Sequence, residues 1–447
     1  MTEISQARTK NYLKQLKGSG IYKLGAVLAT FIAMPIMIKY LGVEMFGVWS
    51  TMLTLISWVM LFDLGIGNGL KNKITESLAQ DNAELASGFI STAYVLVGGV
   101  SLVLFLIFLV ASFWLPWQAI FNTQSIDELA LRESVITLSF FVFFNFWISL
   151  VNQIYHGLQQ SSVVVLGQFI SNVMALIFVY ALYQLTEASI VYMVWAYGVS
   201  LVVANMLLSF LMFRQRTEFK PSIRLFAKEK IKALLSLGIK FFVIQFAVLM
   251  IFMTDKILIT QLLGPAEVTP YEVLFKLFSV FTVLHSLILV PLWPAYSDAY
   301  SRNDIEWIKK QIIKQLKIGG LICIGAIVLA VLGQKLVRIW IGFDFSVGIS
   351  LYLLFAVFIV MSVWNNIFGY VLGGIGKVRL GAYHTFLSAL INVPLSYVLV
   401  VNFEMGLNGI LVGTIFACTL SFFISPIQCY YFFFYERKNS LLTKVLS

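Results

Sequence analysis

About twelve apolar runs follow one another through this chain, each near the roughly 20 residues that a helix needs to cross a hydrocarbon core. In the first half their cores are 21–38, 46–62, 89–113, 135–155, 163–183 and 190–213. In the second half they are 234–262, 271–290, 318–336, 349–372, 380–401 and 407–434. Only 12% of the 447 residues are charged and 60% are hydrophobic, against roughly 25% and 45–50% in soluble domains. A water-soluble fold cannot hide that much apolar surface. In lipid each backbone polar group must be satisfied within the chain, which leaves helices for runs of this length. The expected fold class is an all-α polytopic membrane protein.

The net charge of +10 does not point to nucleic acid, because the lysines and arginines sit in short loops between the apolar runs. With the N-terminus in the cytoplasm, 23 of the 31 basic residues fall on the cytoplasmic side. The positive-inside rule then places both termini there. The polar, basic start of the chain reads as a retained cytoplasmic arm, since no small-residue cleavage site follows the first apolar run. Cys323, Cys418 and Cys429 lie in apolar runs without CxxC spacing and read as reduced core residues.

The chain also repeats itself. Residues 40–84 open on YLG, run through a span and close on LAQDNAE; residues 262–306 open on LLG and close on YSRNDIE. Leu41 and Leu263 are 222 residues apart, as are Glu84 and Glu306. A second echo pairs Asn152 and Gly167 with Asn366 and Gly381. This predicts two six-helix bundles, 1–213 and 233–447, joined by a basic cytoplasmic linker at 214–232. Six spans per half is an even number, so both halves enter the membrane in the same direction. A pseudo-twofold axis along the membrane normal would relate them, the parallel-repeat arrangement of transporters.

Charges inside spans cost about 2.5–3.5 kcal/mol each at the helix centre, so those retained are candidates for function. Lys23 and Lys240 occupy equivalent first helices of the two halves, where they either line the inward mouth of a cavity or snorkel to the surface. Asp255 lies 15 residues after Lys240, within roughly 60° on a helix. Lys276, at similar depth on the next antiparallel helix, is the expected partner of Asp255, as a clasp or as a gate opened by substrate phosphate. Lys256 points elsewhere and can snorkel. Asp63 ends the second span, and the 222-residue offset makes His285 its counterpart. These three, Asp63, His285 and Lys256, are candidates for coupling or gating. The Gly65–Gly69 run has no preceding strand and no P-loop lysine, so it reads as a helix break. Asn145, Asn152, Asn172, Asn365 and Asn392 are polar points that either contact sugar or join helices.

No HExxH, GxSxG, Walker or DxD pattern is present. An enzyme, a metal site, a cofactor and a nucleotide are accordingly not expected. YLGVEMFGVWS with DLGIGNGLKNKITE, TDKILITQLLG, and VLGGIGKVRLGAYHTFLSALINVPLSYVLV with GLNGILVGTIFACTLS resemble the bacterial Wzx-type oligosaccharide flippases. These belong to the multidrug/oligosaccharidyl-lipid/polysaccharide exporter superfamily. The resemblance implies two bundles around a central cavity with alternating access, in the bacterial plasma membrane. It implies a polyprenyl-diphosphate-linked oligosaccharide as substrate, for O-antigen, capsule or exopolysaccharide assembly. It also implies a cationic lumen, for which Lys23, Lys240 and Lys276 are candidates. A polysaccharide polymerase and chain-length machinery are the partners this would bring, alongside membrane lipid. The alternatives are a multidrug or cation exporter using acids such as Asp255, and a membrane-embedded polymerase or transferase.

Overall fold

A computed structural model of the protein describes residues 3–58, 65–235 and 253–433, with side chains from Gly20 onward. Asp63 and Lys240 lie outside those residues. Among the described residues the regular structure is entirely helical. In chain order the helices are α1 (Glu3–Ser57), α2 (Ile66–Ala79), α3 (Ala83–Ala111), α4 (Trp117–Ile120), α5 (Glu128–Ile148), α6 (Leu150–Gly157) and α7 (Ser161–Leu185). They continue with α8 (Ile190–Gln215), α9 (Thr254–Leu262), α10 (Val268–Ser301), α11 (Ile305–Ile341), α12 (Ile349–Gly374), α13 (Arg379–Val401) and α14 (Gly406–Phe433).

Ten segments among the described residues are long and apolar enough to cross a membrane. One of them, Gly20–Ser57, holds the first expected span and the described part of the second. The two are divided at Gly42, where φ is 77° and ψ 171°. A side chain is strained at that φ, so glycine is what allows the chain to break direction there. The expected seventh span, 234–262, is described only at its two ends. In the Gly65–Gly69 run, Gly65 caps α2 in the left-handed conformation, φ 75°, and α2 begins at Ile66.

The described residues form two compact units, a first of 21–58, 65–235 and Gly264–Ala266, and a second of 3–20, 253–263 and 267–433. In the first unit the early part of α1 runs parallel to α7. Asn172 Nδ2 donates to the Ala26 carbonyl at 3.1 Å, and Tyr40 Oη meets Thr186 Oγ1 at 2.9 Å, both across 146 residues of sequence. At the Tyr40 end, Thr123 Oγ1 donates to Glu44 at 2.6 Å. The Glu128 carboxylate accepts from Trp117 N at 3.0 Å and Gln118 N at 2.8 Å. An acid at a helix start satisfies amides that have no partner within the helix. The opposite end is closed by a buried cluster that includes Ile66, Leu70 and Ile74 of α2, Ile90 of α3 and Ile154 of α6.

The basic connection after α8 folds back onto α3. Ser222 N donates to Ser91 Oγ at 3.1 Å, Ala227 N donates to Thr92 Oγ1 at 3.2 Å, and Ser87 Oγ donates to the Glu218 carbonyl. Lys230 Nζ lies 5.3 Å from the centre of the Phe89 ring. The segment expected as a linker is thus tied to the first unit by three hydrogen bonds.

In the second unit α11 shows how these helices are sorted by side. Leu321, Ile324, Val328 and Val331 recur at three- to four-residue spacing and face outward, at least half exposed. Ala326, Ala330, Gly333 and Val337 face inward and are buried. Lipid is as apolar as leucine, so association rests on close packing of small residues and on interhelical hydrogen bonds. A Cβ added at Gly333 would lie 2.5 Å from Cδ1 of Tyr352 on α12. Gly333→Leu is therefore expected to lower stability by about 1–3 kcal/mol through overpacking. Leu321→Val, on the outward face, should change it by less than about 0.5 kcal/mol. Thermal unfolding in detergent measures both, and equal effects would contradict this sorting.

Candidate functional site

The second unit buries one acid of its apolar spans. Asp255 sits in the first turn of α9 with 4% of its surface exposed. Tyr271, in the first turn of α10, donates its hydroxyl to Asp255 Oδ2 at 2.6 Å. Thr414 of α14 lies 3.0 Å from both carboxylate oxygens. Asn392 of α13 is fully buried beside them. Its Oδ1 accepts from Ser396 Oγ at 3.2 Å and is 3.4 Å from Thr414 Oγ1. Four helices therefore meet at a single carboxylate.

Local sequence explains how α13 and α14 come close enough. Gly409 and Gly413 are four residues apart on α14, the small-xxx-small spacing that lets helix backbones approach. A Cβ at Gly413 would fall 2.1 Å from Ser396 Oγ, and one at Gly409 would fall 3.1 Å from the Leu399 carbonyl carbon. With glycine at both positions, Thr414 reaches Asp255. His384 Nδ1 and Ser421 Oγ join the same two helices again at 2.9 Å.

Lys256 continues the pattern one residue on: its Nζ pairs with Glu272 Oε2 at 2.7 Å. The turn between α9 and α10 thus sets Asp255 and Lys256 against Tyr271 and Glu272. This corrects the sequence expectation that Asp255 would take Lys276 as its partner. Lys276 is five residues beyond Tyr271, roughly 140° around the helix, so it cannot share the face that Tyr271 turns to Asp255. It stands instead four residues from Glu272, one turn along. Lys256, expected to snorkel, is engaged in an ion pair.

The other candidates lie apart from this cluster. His285 is buried, and its Nε2 meets Gln315 Oε1 on α11 at 3.2 Å. It is 14 residues along α10 from Tyr271, roughly 21 Å. Lys23 is half-buried on α1 in the first unit. Most intramembrane asparagines join helices. Asn205 links Asn145 at 2.7 Å and Asn152 at 3.0 Å, and Asn365 donates to the Cys418 carbonyl at 3.2 Å. Sequence reasoning missed Tyr271, Glu272 and Thr414. The adjacent pair Tyr271-Glu272, 16 residues after Asp255-Lys256 across a short turn, was the available signal for two of them.

Chemically the cluster holds an acid among hydroxyl donors. Among the described residues Asp255 forms no ion pair, and it is held by Tyr271, Thr414 and Asn392. Thr414→Val is expected to cost about 1–3 kcal/mol by leaving a buried carboxylate short of a donor. In an Asp255→Asn background the same change should cost less, with a coupling of at least about 0.5 kcal/mol. Additive effects in a double-mutant cycle of unfolding free energies would mean that the two side chains do not share a network.

Comparison with known proteins gives this arrangement a family. Residues 241–398 match the MatE family, and residues 16–300 match the family described as polysaccharide biosynthesis protein. A Yersinia pseudotuberculosis protein named for O-antigen export is 24% identical over 416 residues, 90% of this chain and 92% of its own length. A Salmonella typhi protein named for O-antigen transport is 22% identical over 431 residues, 95% of this chain and 96% of its own. A solved multidrug resistance MATE family transporter of the MOP superfamily, inward-facing, matches with a TM-score of 0.74 at 17% identity, over 91% of this chain and 97% of its own. A MOP superfamily transporter from Pyrococcus furiosus matches with a TM-score of 0.67 at 16% identity, over 96% and 99%. The fold is that of the MOP superfamily transporters. Residues 16–300 make up more than half of the chain, which therefore belongs to the polysaccharide biosynthesis protein family.

Proposed function

We propose that the protein is a flippase, not an enzyme. It moves polyprenyl-diphosphate-linked oligosaccharide repeat units from the cytoplasmic to the outer leaflet of the bacterial inner membrane. The observation that carries this reading is similarity along nearly the whole chain to relatives named for O-antigen export, on a transporter fold. The product would feed O-antigen, capsule or exopolysaccharide assembly, with a polymerase and chain-length machinery downstream. Both termini lie in the cytoplasm in this reading, because the basic loops then obey the positive-inside rule.

The substrate's diphosphate needs cations, and Lys23, Lys240 and Lys276 are assigned to the lumen that receives it. The Asp255 network is assigned a mechanical role. It holds the start of α10, and with it Lys276, against α13 and α14, so a movement of either helix pair is felt at the lysine. Asp63 and His285 remain candidates for coupling. A second reading, a multidrug or cation exporter, draws on the buried acid at Asp255 and on the multidrug transporter among the structural relatives.

Complementation separates the two. In a bacterium lacking its own flippase, the unaltered chain should restore surface polysaccharide. Lys276→Ala, at equal membrane abundance, should lower display about tenfold or more, the worth of a charge-assisted hydrogen bond. Resistance to lipophilic cations with no restored polysaccharide would favour the exporter. Full display by both Lys240→Ala and Lys276→Ala would remove the assigned lumen residues.

A further inference from the structure

Helix α10 presents three faces. Tyr271, Leu274, Phe278, His285 and Leu289 are buried and pack within the second unit. On a second face, at roughly 100° per residue, stand Leu277, Val280, Leu284, Leu287 and Ile288, all apolar. Leu284 there is 43% exposed. An open face of apolar side chains suits lipid, which is as apolar as leucine.

The third face is different. Glu272, Lys276, Ser279, Thr282 and Ser286 recur at three- to four-residue spacing and fall within roughly 120° of one another. Each is half-buried, neither sealed in the packing nor fully exposed. Phe275 and Val283 are the apolar residues of the same face. Lys256 of α9 joins it at one end, with its Nζ 2.7 Å from Glu272 Oε2. Charge set against hydrocarbon costs about 2.5–3.5 kcal/mol at mid-span, so a partly open face that carries it is turned to water.

The hydroxyls of this face are oriented. Ser279 Oγ donates to the Lys276 carbonyl at 2.8 Å, Thr282 Oγ1 to the Ser279 carbonyl at 2.9 Å, and Ser286 Oγ to the Val283 carbonyl at 2.7 Å. With each proton held by the backbone, each oxygen keeps lone pairs to offer. The helical rise sets the three about 4.5, 9 and 15 Å along the axis from Lys276. One end of the face thus holds two lysines to one acid, and the rest is a file of acceptors.

We infer that this face of α10 is the track that reads the glycan, with the substrate diphosphate at Lys276 and the hydroxyls of its first sugars donating to Ser279, Thr282 and Ser286. The inference rests on the flippase reading and adds a sugar subsite to it. A file of acceptors selects a ligand that carries donors in a row, as sugar hydroxyls do. Diphosphate oxygens and a polyprenyl chain bring no proton to these oxygens, and neither does a lipophilic cation without N–H or O–H groups.

Cysteine labelling and probe binding on the full-length protein test this together. Ser279→Cys, Thr282→Cys and Ser286→Cys should react with a charged methanethiosulfonate at least about tenfold faster than Val280→Cys, Leu284→Cys and Ile288→Cys, because the reactive thiolate forms in water and not in lipid. The labelling of the unaltered chain's own cysteines is subtracted. Farnesyl diphosphate carrying one N-acetylglucosamine should bind about tenfold more tightly than farnesyl diphosphate, the worth of one or two neutral hydrogen bonds. The combined change Ser279→Ala, Thr282→Val and Ser286→Ala should bring the sugar-bearing probe down to the level of farnesyl diphosphate. Thermal unfolding in detergent checks that this variant is folded. Three results would each overturn the inference and leave the flippase reading standing: labelling no faster on the polar face, equal binding of the two probes by the unaltered chain, or a preference that survives the combined change. Binding of a lipophilic cation but of neither probe would remove both.

Discussion

An ionisable oxygen within a lipid-embedded bundle persists only where donors replace the water it has lost, and the second unit is arranged around that requirement. Among the described residues Asp255 forms no ion pair, and its oxygens are met by hydroxyls from α10 and α14. Satisfying it needs four helix segments at once: α9 carries the acid, α10 the tyrosine, α14 the threonine and α13 the asparagine that orients the threonine. Such a network is costly when half made. The packing that permits it is therefore as much a part of the site as the acid, and Gly409 and Gly413 supply that packing at the α13–α14 crossing.

The same rule organises the first unit with different residues. Asn145, Asn205 and Asn152 form a short amide ladder, and Tyr40 ties α1 to the α7–α8 turn. Small residues face inward and large aliphatic ones face lipid, as on α11. Charge appears inside spans chiefly in company, as at Lys256 and Glu272. Removing one member of such a pair leaves the other uncompensated, which costs more than removing both.

Much of this was legible in the chain. Helical class follows from run length, because apolar surface of that extent has one suitable solvent. The break at Gly65 was readable because a glycine-rich run without a strand has few other uses. Partner identity at Asp255 was not readable. Tyr271 is 16 residues away and Thr414 is 159, and nothing local states that α14 approaches α9. Lys276 was the plausible partner by charge and depth, but a helix advances about 100° per residue, which turns it off the shared face. Charge attraction chose the wrong residue, and hydroxyl geometry chose the right ones. The connection at 214–232, similarly, was readable as basic and polar but not as bound to α3, because Ser87, Ser91 and Thr92 look like ordinary helix residues until the fold brings the loop across them.

The central claim is that this chain translocates a lipid-linked oligosaccharide. Purified protein in liposomes, loaded on the inner leaflet with a polyprenyl-diphosphate oligosaccharide bearing an enzyme-cleavable sugar, tests it with no cellular machinery present. The account predicts that the inner-leaflet sugar becomes accessible to an externally added glycosidase only where the protein is present. Continued protection of the sugar, together with protein-dependent movement of a lipophilic cation, would contradict it.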